Sequence, residues 1–171
     1  RNNNEINIKI KNHKAMKVDI LVLATHADQC LSLIDNPSEE EKNILSKFKY
    51  SKNRAILHSD ETFMPNNKRA WSSWNFLNDD EEELKFSLTY WMNNLQNIKN
   101  DKNYFVTINP FFDPKKIYDS TIFEHPIYNL ETIQAQKKIS NIQGHLNTFY
   151  CGSYCGYGFH EDGIQSAAYV A

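Results

Sequence analysis

All five glycines of this 171-residue chain fall between Gly144 and Gly163. Glycine gathered in one place implies backbone angles that other residues avoid, or backbone brought close to another group. The stretch reads Tyr150-Cys151-Gly152-Ser153-Tyr154-Cys155-Gly156-Tyr157-Gly158-Phe159-His160-Glu161-Asp162-Gly163 and opens a helix predicted over 163–171. N–H groups left free at a helix start favour an anionic or electron-rich partner, such as a phosphate or a carbonyl-bearing ring. A plain strand-to-helix turn is the alternative. On the predicted helix Ile164, Ala167, Ala168 and Ala171 share one face. Three of them are small, which predicts close packing of helix on sheet and a fixed helix start.

Other residues could join such a site. His160 lies in the same loop, and histidine titrates where proton transfer is useful. A loop histidine bonded to backbone is the alternative. Trp71, Trp74, Tyr90 and Trp91 could line an apolar pocket or simply form the core of a β-rich domain. Cys151, Cys155 and His160 do not follow a zinc-site spacing, and only Cys30 remains to complete a thiolate set, so no metal is expected. The acidic runs Glu39 to Glu41 and Asp79 to Glu83 read as solvated faces without chemistry.

The elements that would carry these residues are legible in outline. Glu5 to Ile10 alternates as a half-buried strand, and Lys11 to Lys17 is a polar break. Val18 to Ala24 is apolar on both faces, as in an interior parallel strand covered on both sides. It ends in the turn Ala24-Thr25-His26, and ligands of open α/β sheets sit at such carboxyl ends. Helices are predicted from Gln29 to Ile34, from a Ser38 cap to Lys47, from Trp91 to Ile98, and from an Asn129 cap through Leu130 to Ile142. Arg54 to His58, Ala70 to Phe76, Leu84 to Tyr90, Tyr104 to Asn109 and Thr148 to Cys151 read as strands. The predicted division is 1–49 and 129–171 as parts of one α/β domain, with a β-rich insert over 50–128.

Composition narrows the class. At 40% hydrophobic and 13% aromatic the chain is that of a folded protein, and a domain of this length buries roughly 70% of its unfolded surface. A net charge of −2 carries no footprint for nucleic acid or anionic membranes. The longest apolar run, Val18 to Ala24, is far too short to span a bilayer. Three unevenly placed cysteines do not make a secreted disulfide framework, so a cytoplasmic location is expected. The opening Arg-Asn-Asn-Asn, without an initiator Met or signal-like stretch, and a last residue inside a helix lead us to expect a longer parent polypeptide.

Several blocks in order resemble the flavin-containing amine oxidase superfamily, and more closely its bacterial NAD/FAD-binding amine oxidase-like branch. They are Tyr150-Cys151-Gly152-Ser153, Gly156-Tyr157-Gly158-Phe159-His160-Glu161-Asp162-Gly163 before an Ala-rich helix, and the Leu-Ala-Thr-His-Ala-Asp-Gln run ending at Gln29. Arg54 to His58, Ala70 to Asn75, Thr89 to Asn93 and Glu124-His125-Pro126 match as well. The resemblance covers nearly the whole chain. It implies a two-domain FAD-binding, Rossmann-like fold with a β-rich substrate domain and an upstream Gly-x-Gly-x-x-Gly unit that this sequence lacks. It implies FAD contacts at Ala24, Thr25, Gly152, Ser153, Gly158, Glu161, Asp162 and Gly163, and substrate-facing or catalytic roles for His160, Trp74 and Tyr90. The implied reaction transfers a hydride equivalent from an organic substrate to flavin. A desaturase or isomerase acting on a lipid-like substrate, or a non-catalytic binding module, are the rivals. The sequence departs from the family where an acidic residue often follows the glycine equivalent to Gly152, since Ser153 and Tyr154 stand there.

Overall fold

The computed structural model describes Arg1, residues 5–78 and residues 86–171. The acidic run Asp79 to Glu83 and the first two residues of the strand expected at Leu84 to Tyr90 lie outside the described residues. The chain divides into two compact units, one of residues 1–50 and 126–171, the other of residues 51–125. No helix among the described residues is long and apolar enough to cross a membrane.

Unit 1 opens with an antiparallel pair, β1 (Ile6–Ile8) and β2 (Met16–Val18), with Ile6 opposite Val18. β2 begins inside the stretch expected to be a polar break. A bend at Asp19 then splits the single strand expected at Val18 to Ala24, and β3 (Leu21–Leu23) pairs in parallel with β9 (Thr148–Tyr150). Leu23 and Tyr150 point into the core, but Ile20 and Val22 are exposed. β3 is therefore not covered on both sides as expected. Its apolar outer face has no described strand or helix over it.

Helices α1 (Ala27–Leu33), α2 (Glu39–Leu45) and α4 (Leu130–Gln136) close the core. Ala27, Cys30, Ile34, Ile44, Leu45 and Phe48 pack with Ala135, Ile139, Ile142, Tyr150 and Tyr154. The expected caps form: Ser38 Oγ accepts from Glu41 N, and Asn129 Oδ1 accepts from Thr132 N. α4 is shorter than expected and hands over to a 3-10 turn at Ile139–Asn141, yet Ile139 and Ile142 still reach the core.

Glu41 overturns the reading of its acidic run. It is fully buried, takes both nitrogens of the Arg1 fork at 2.7 and 2.8 Å, and accepts from the Tyr150 hydroxyl at 2.6 Å and from Ser38 N at 2.7 Å. The sequence shows a charge run. Only the fold shows that its third residue turns inward onto a buried cation and phenol.

Unit 2 is built on a five-stranded sheet in the order β5-β6-β7-β4-β8. The strands are β4 (Lys49–His58), β5 (Trp74–Asn78), β6 (Phe86–Trp91), β7 (Phe105–Ile108) and β8 (Ile117–Ile127), with a short α3 (Met92–Leu95) between β6 and β7. Ala70 lies in a 3-10 turn, so β5 starts later than expected. The sequence reading missed β8. It holds Pro126, and it lies at the sheet edge, where a strand proline loses no ladder bond.

Candidate functional site

In unit 1 the parallel pair β3–β9 ends in two turns that lie side by side. Cys151 N donates to Leu23 O at 3.1 Å, which carries the pairing one step beyond the strands. Beyond it, a Cβ built on Gly152 would lie 3.5 Å from Thr25 O. Both carboxyl ends therefore emerge at one edge, the edge at which open α/β sheets bind ligands. Ala24 and Thr25 are exposed there, while Gly152 and Ser153 are half-buried. His26 stacks on Tyr50 with 4.3 Å between ring centres, and its Nδ1 is buried without a hydrogen-bond partner among the described residues.

The loop between β9 and the last helix is held by side chains. The Gln143 amide brackets Tyr150, donating to its carbonyl at 2.7 Å and accepting from its N–H at 2.8 Å. Gln136 Nε2 donates to Tyr154 O at 2.9 Å and Gly156 O at 2.6 Å. Ser166 Oγ accepts from Gly152 N at 2.9 Å. The N–H of Gly152 is thus occupied from within, and the place its Cβ would take is filled by the Tyr154 ring at 2.7 Å. Gly158 has φ +92°, and a Cβ there would lie 2.6 Å from the Tyr128 hydroxyl.

Helix α5 (His160–Val170) begins three residues earlier than expected, so His160 is its exposed first residue and not a loop residue. Gly163 lies within the helix, and its Cβ position is 3.7 Å from Ser153 N, an ordinary contact. Asp162 Oδ2 accepts from Phe159 N at 2.8 Å, and Glu161 accepts from Gln165. The face expected to pack on the sheet is turned outward, with Ile164 65% exposed and Ala167, Ala168 and Ala171 exposed too. The inward side is Asp162, Gly163, Ser166 and Val170. What brings α5 close is backbone approach at Gly163 and the Ser166 hydrogen bond, so the packed side is small and polar.

The three thiols are free. Burial pushes Cys30 and Cys151 up, and Cys155 up to about 11, so all three stay protonated near neutrality. Among the described residues no group of three His, Cys, Asp or Glu side chains is arranged to hold a metal ion.

Trp74 and Tyr90 belong to unit 2. They are cross-strand partners on β5 and β6, packed edge to face at 5.2 Å. Trp71 and Trp91 pack against each other instead, with indole N–H groups donating to Pro65 O at 2.8 Å and Asn103 Oδ1 at 3.0 Å. Tyr128 sits over Gly158 and escaped the sequence reading, because nothing in its neighbourhood marks it before the chain folds.

No family model matches the sequence, and no curated protein matches it. Solved structures do match in fold. The crystal structure of a CLA-producing fatty acid isomerase from P. acnes superimposes with a TM-score of 0.64 at 14% identity, over 97% of this chain and 44% of that one. A protein described as a protoporphyrinogen oxidase from Exiguobacterium sp. 255-15 gives a TM-score of 0.59 at 11% identity, over 98% of this chain and 43% of that one. The chain spans less than half the length of either. At these identities the likeness is one of fold.

Proposed function

We propose that this chain is part of an FAD-dependent oxidoreductase that takes a hydride equivalent from an organic substrate. The observation that carries this reading is the meeting of the β3 and β9 carboxyl ends, at Thr25 and Gly152, with the start of α5. The likeness in fold to an isomerase and an oxidase supports an enzyme-like relationship at that level.

The residues present fit the ring end of a flavin better than its pyrophosphate. Glu161 and Asp162 stand in the first turn of α5, where they oppose a phosphate. A pyrimidine edge is neutral and offers both carbonyl acceptors and an N–H donor, so it suits free helix N–H groups flanked by acids. In this reading Ala24, Thr25, Gly152, Ser153 and Gly158 shape the wall, and Glu161, Asp162 and Gly163 present the helix start. The bound flavin would supply the two-electron acceptor. His160, exposed at the helix start, would move a proton; a substrate-facing role for Trp74 and Tyr90, which belong to unit 2, rests on the resemblance alone. An isomerase or desaturase would use the same wall and differ in what the substrate side presents.

The test is a titration of the chain with FAD and with riboflavin, followed by flavin fluorescence and the visible spectrum. Quenching by the parent that Gly158→Val weakens, with comparable affinity for the two flavins, supports the reading. A folded parent that leaves both spectra unchanged overturns it.

A further inference from the structure

Three segments of unit 2 enclose a cavity of about 590 Å³, a volume typical of small-molecule sites. They are the turn after β4 with Ser59 to Thr62, the loop Asp101 to Asn103 before β7, and Lys115 and Lys116 before β8. Side chains lock the three together. Asp60 Oδ2 accepts from Lys115 N at 2.8 Å, while its Oδ1 accepts from Thr62 N at 3.1 Å and Thr62 Oγ1 at 2.8 Å. Glu61 Oε1 accepts from Asn103 Nδ2 at 2.8 Å, and Lys68 Nζ lies 3.2 Å from its Oε2. Asn103 Oδ1 in turn accepts from the Trp91 indole. The backbone of Lys102 is held on both sides, its N–H by Asn100 Oδ1 at 2.9 Å and its carbonyl by Asn93 Nδ2 at 2.9 Å.

Asp60 and Glu61 are therefore committed to the walls, and Asp101 is the third carboxylate on the rim. The rim ammoniums are not so committed. Among the described residues none of Lys102, Lys115 and Lys116 forms an ion pair, and Lys116 feels Glu61 and Tyr118 only at longer range. Lys102 rests over two rings instead, its Nζ 4.7 Å from the centre of Tyr118 and 5.9 Å from that of Tyr104. The Tyr118 hydroxyl lies 3.1 Å from Ser59 Oγ. Lys116 stands at φ +55°, a conformation that residues other than glycine, asparagine and aspartate seldom adopt, and one that gathers at binding sites. Counting Lys68, paired with Glu61, four ammoniums stand against three carboxylates, an excess of one positive charge. We propose that this cavity binds a small molecule through an anionic oxygen group, a phosphate or a carboxylate, held by Lys102, Lys115 and Lys116 with hydroxyl donors from Ser59 and Tyr118. An ammonium already fixed by its backbone and its ring contacts loses less freedom on binding than one on a free side chain. The volume leaves room for a body beyond the anionic group. The site lies wholly in unit 2 and does not rest on the flavoenzyme reading.

The probes are phenyl phosphate and benzoate, titrated into the full chain by calorimetry at fixed ionic strength, with sodium chloride as the blank. Saturable binding of either supports the proposal, and the tighter of the two identifies the anion. Lys102→Gln combined with Lys116→Gln should weaken that binding about tenfold or more, since two charge-assisted contacts are lost. Both side chains are exposed, so the melting temperature should hold. Lys137→Gln combined with Lys138→Gln removes the same charge from exposed positions just past α4 and should leave the affinity unchanged. Tyr118 gives a second readout. The Lys102 hydrogen bond and then the Ser59 hydroxyl hold its phenol below the usual tyrosine range. A bound anion offsets the lysine charges, so saturating probe should raise the alkaline titration of one phenol, a change that Tyr118→Phe abolishes. Binding of neither probe above the blank, or equal losses from the two lysine pairs, overturns the proposal. So does binding that leaves every phenol titration unmoved.

Discussion

The hydroxyl of Ser166 lies 2.9 Å from Gly152 N and 2.8 Å from Gly163 O, so one side chain ties the end of β9 to the first turns of α5. The spacing of strand end and helix start, on which the proposed site depends, is set by this bridge. Ser166→Ala leaves the half-buried Gly152 N–H without its partner and should cost about 1–2 kcal/mol. Denaturant unfolding measures the loss, and amide exchange at Gly152 should quicken. Ser166→Thr keeps the hydroxyl and should restore slow exchange.

Two glycines of the same loop should respond with opposite signs. Gly158, at φ +92° beneath the Tyr128 ring, is strained by any side chain, so Gly158→Ala should destabilise by about 1–3 kcal/mol. Gly163 is helical with room for a methyl group, so Gly163→Ala should stabilise by about 0.5–1 kcal/mol. Thermal melts of the two variants decide both.

Acid should weaken unit 2 through His58. Burial lowers its imidazolium from 6.5 to about 4, against the pull of the nearby Asp60 carboxylate. Asp60 N donates to its Nδ1 at 3.1 Å, an arrangement that requires the neutral ring. The unfolded chain binds the proton more tightly, so protonation favours unfolding. The contribution is complete above pH 6.5, falls as pH drops toward 4, and totals on the order of 3 kcal/mol. Stability followed against pH should show that window, and His58→Gln should lose it.

Glu41 titrates lower and in unit 1. Burial alone would raise its carboxyl, but hydrogen bonds from Arg1, Tyr150 and Ser38 N, with the Arg1 charge, outweigh it and hold it at about 2. Its contribution is present above pH 4.5 and is lost as pH falls toward 2. Amide exchange in β4 and β7 should therefore rise at a higher pH than exchange in α2. Glu41→Gln at neutral pH leaves the Arg1 guanidinium, 8% exposed, without its counter-charge and should cost about 3–5 kcal/mol.

What the sequence by itself determined was local. Ser38 and Asn129 cap their helices because a short polar side chain reaches the first free N–H groups wherever the chain turns helical there. The glycine loop was legible because glycine betrays backbone conformation directly. Apolar alternation found β7 and most of β6. The tertiary structure decided everything that depends on which face finds a partner. It bent the Val18 to Ala24 run so that β2 and β3 join different strands, and it buried Glu41 while leaving its run-mates in water. It turned the alanine face of α5 outward. Periodicity shows that a face exists. Which face is covered depends on groups far along the chain, such as Arg1 and Tyr150 about Glu41 or Gly152 beneath Ser166, and no local pattern records them.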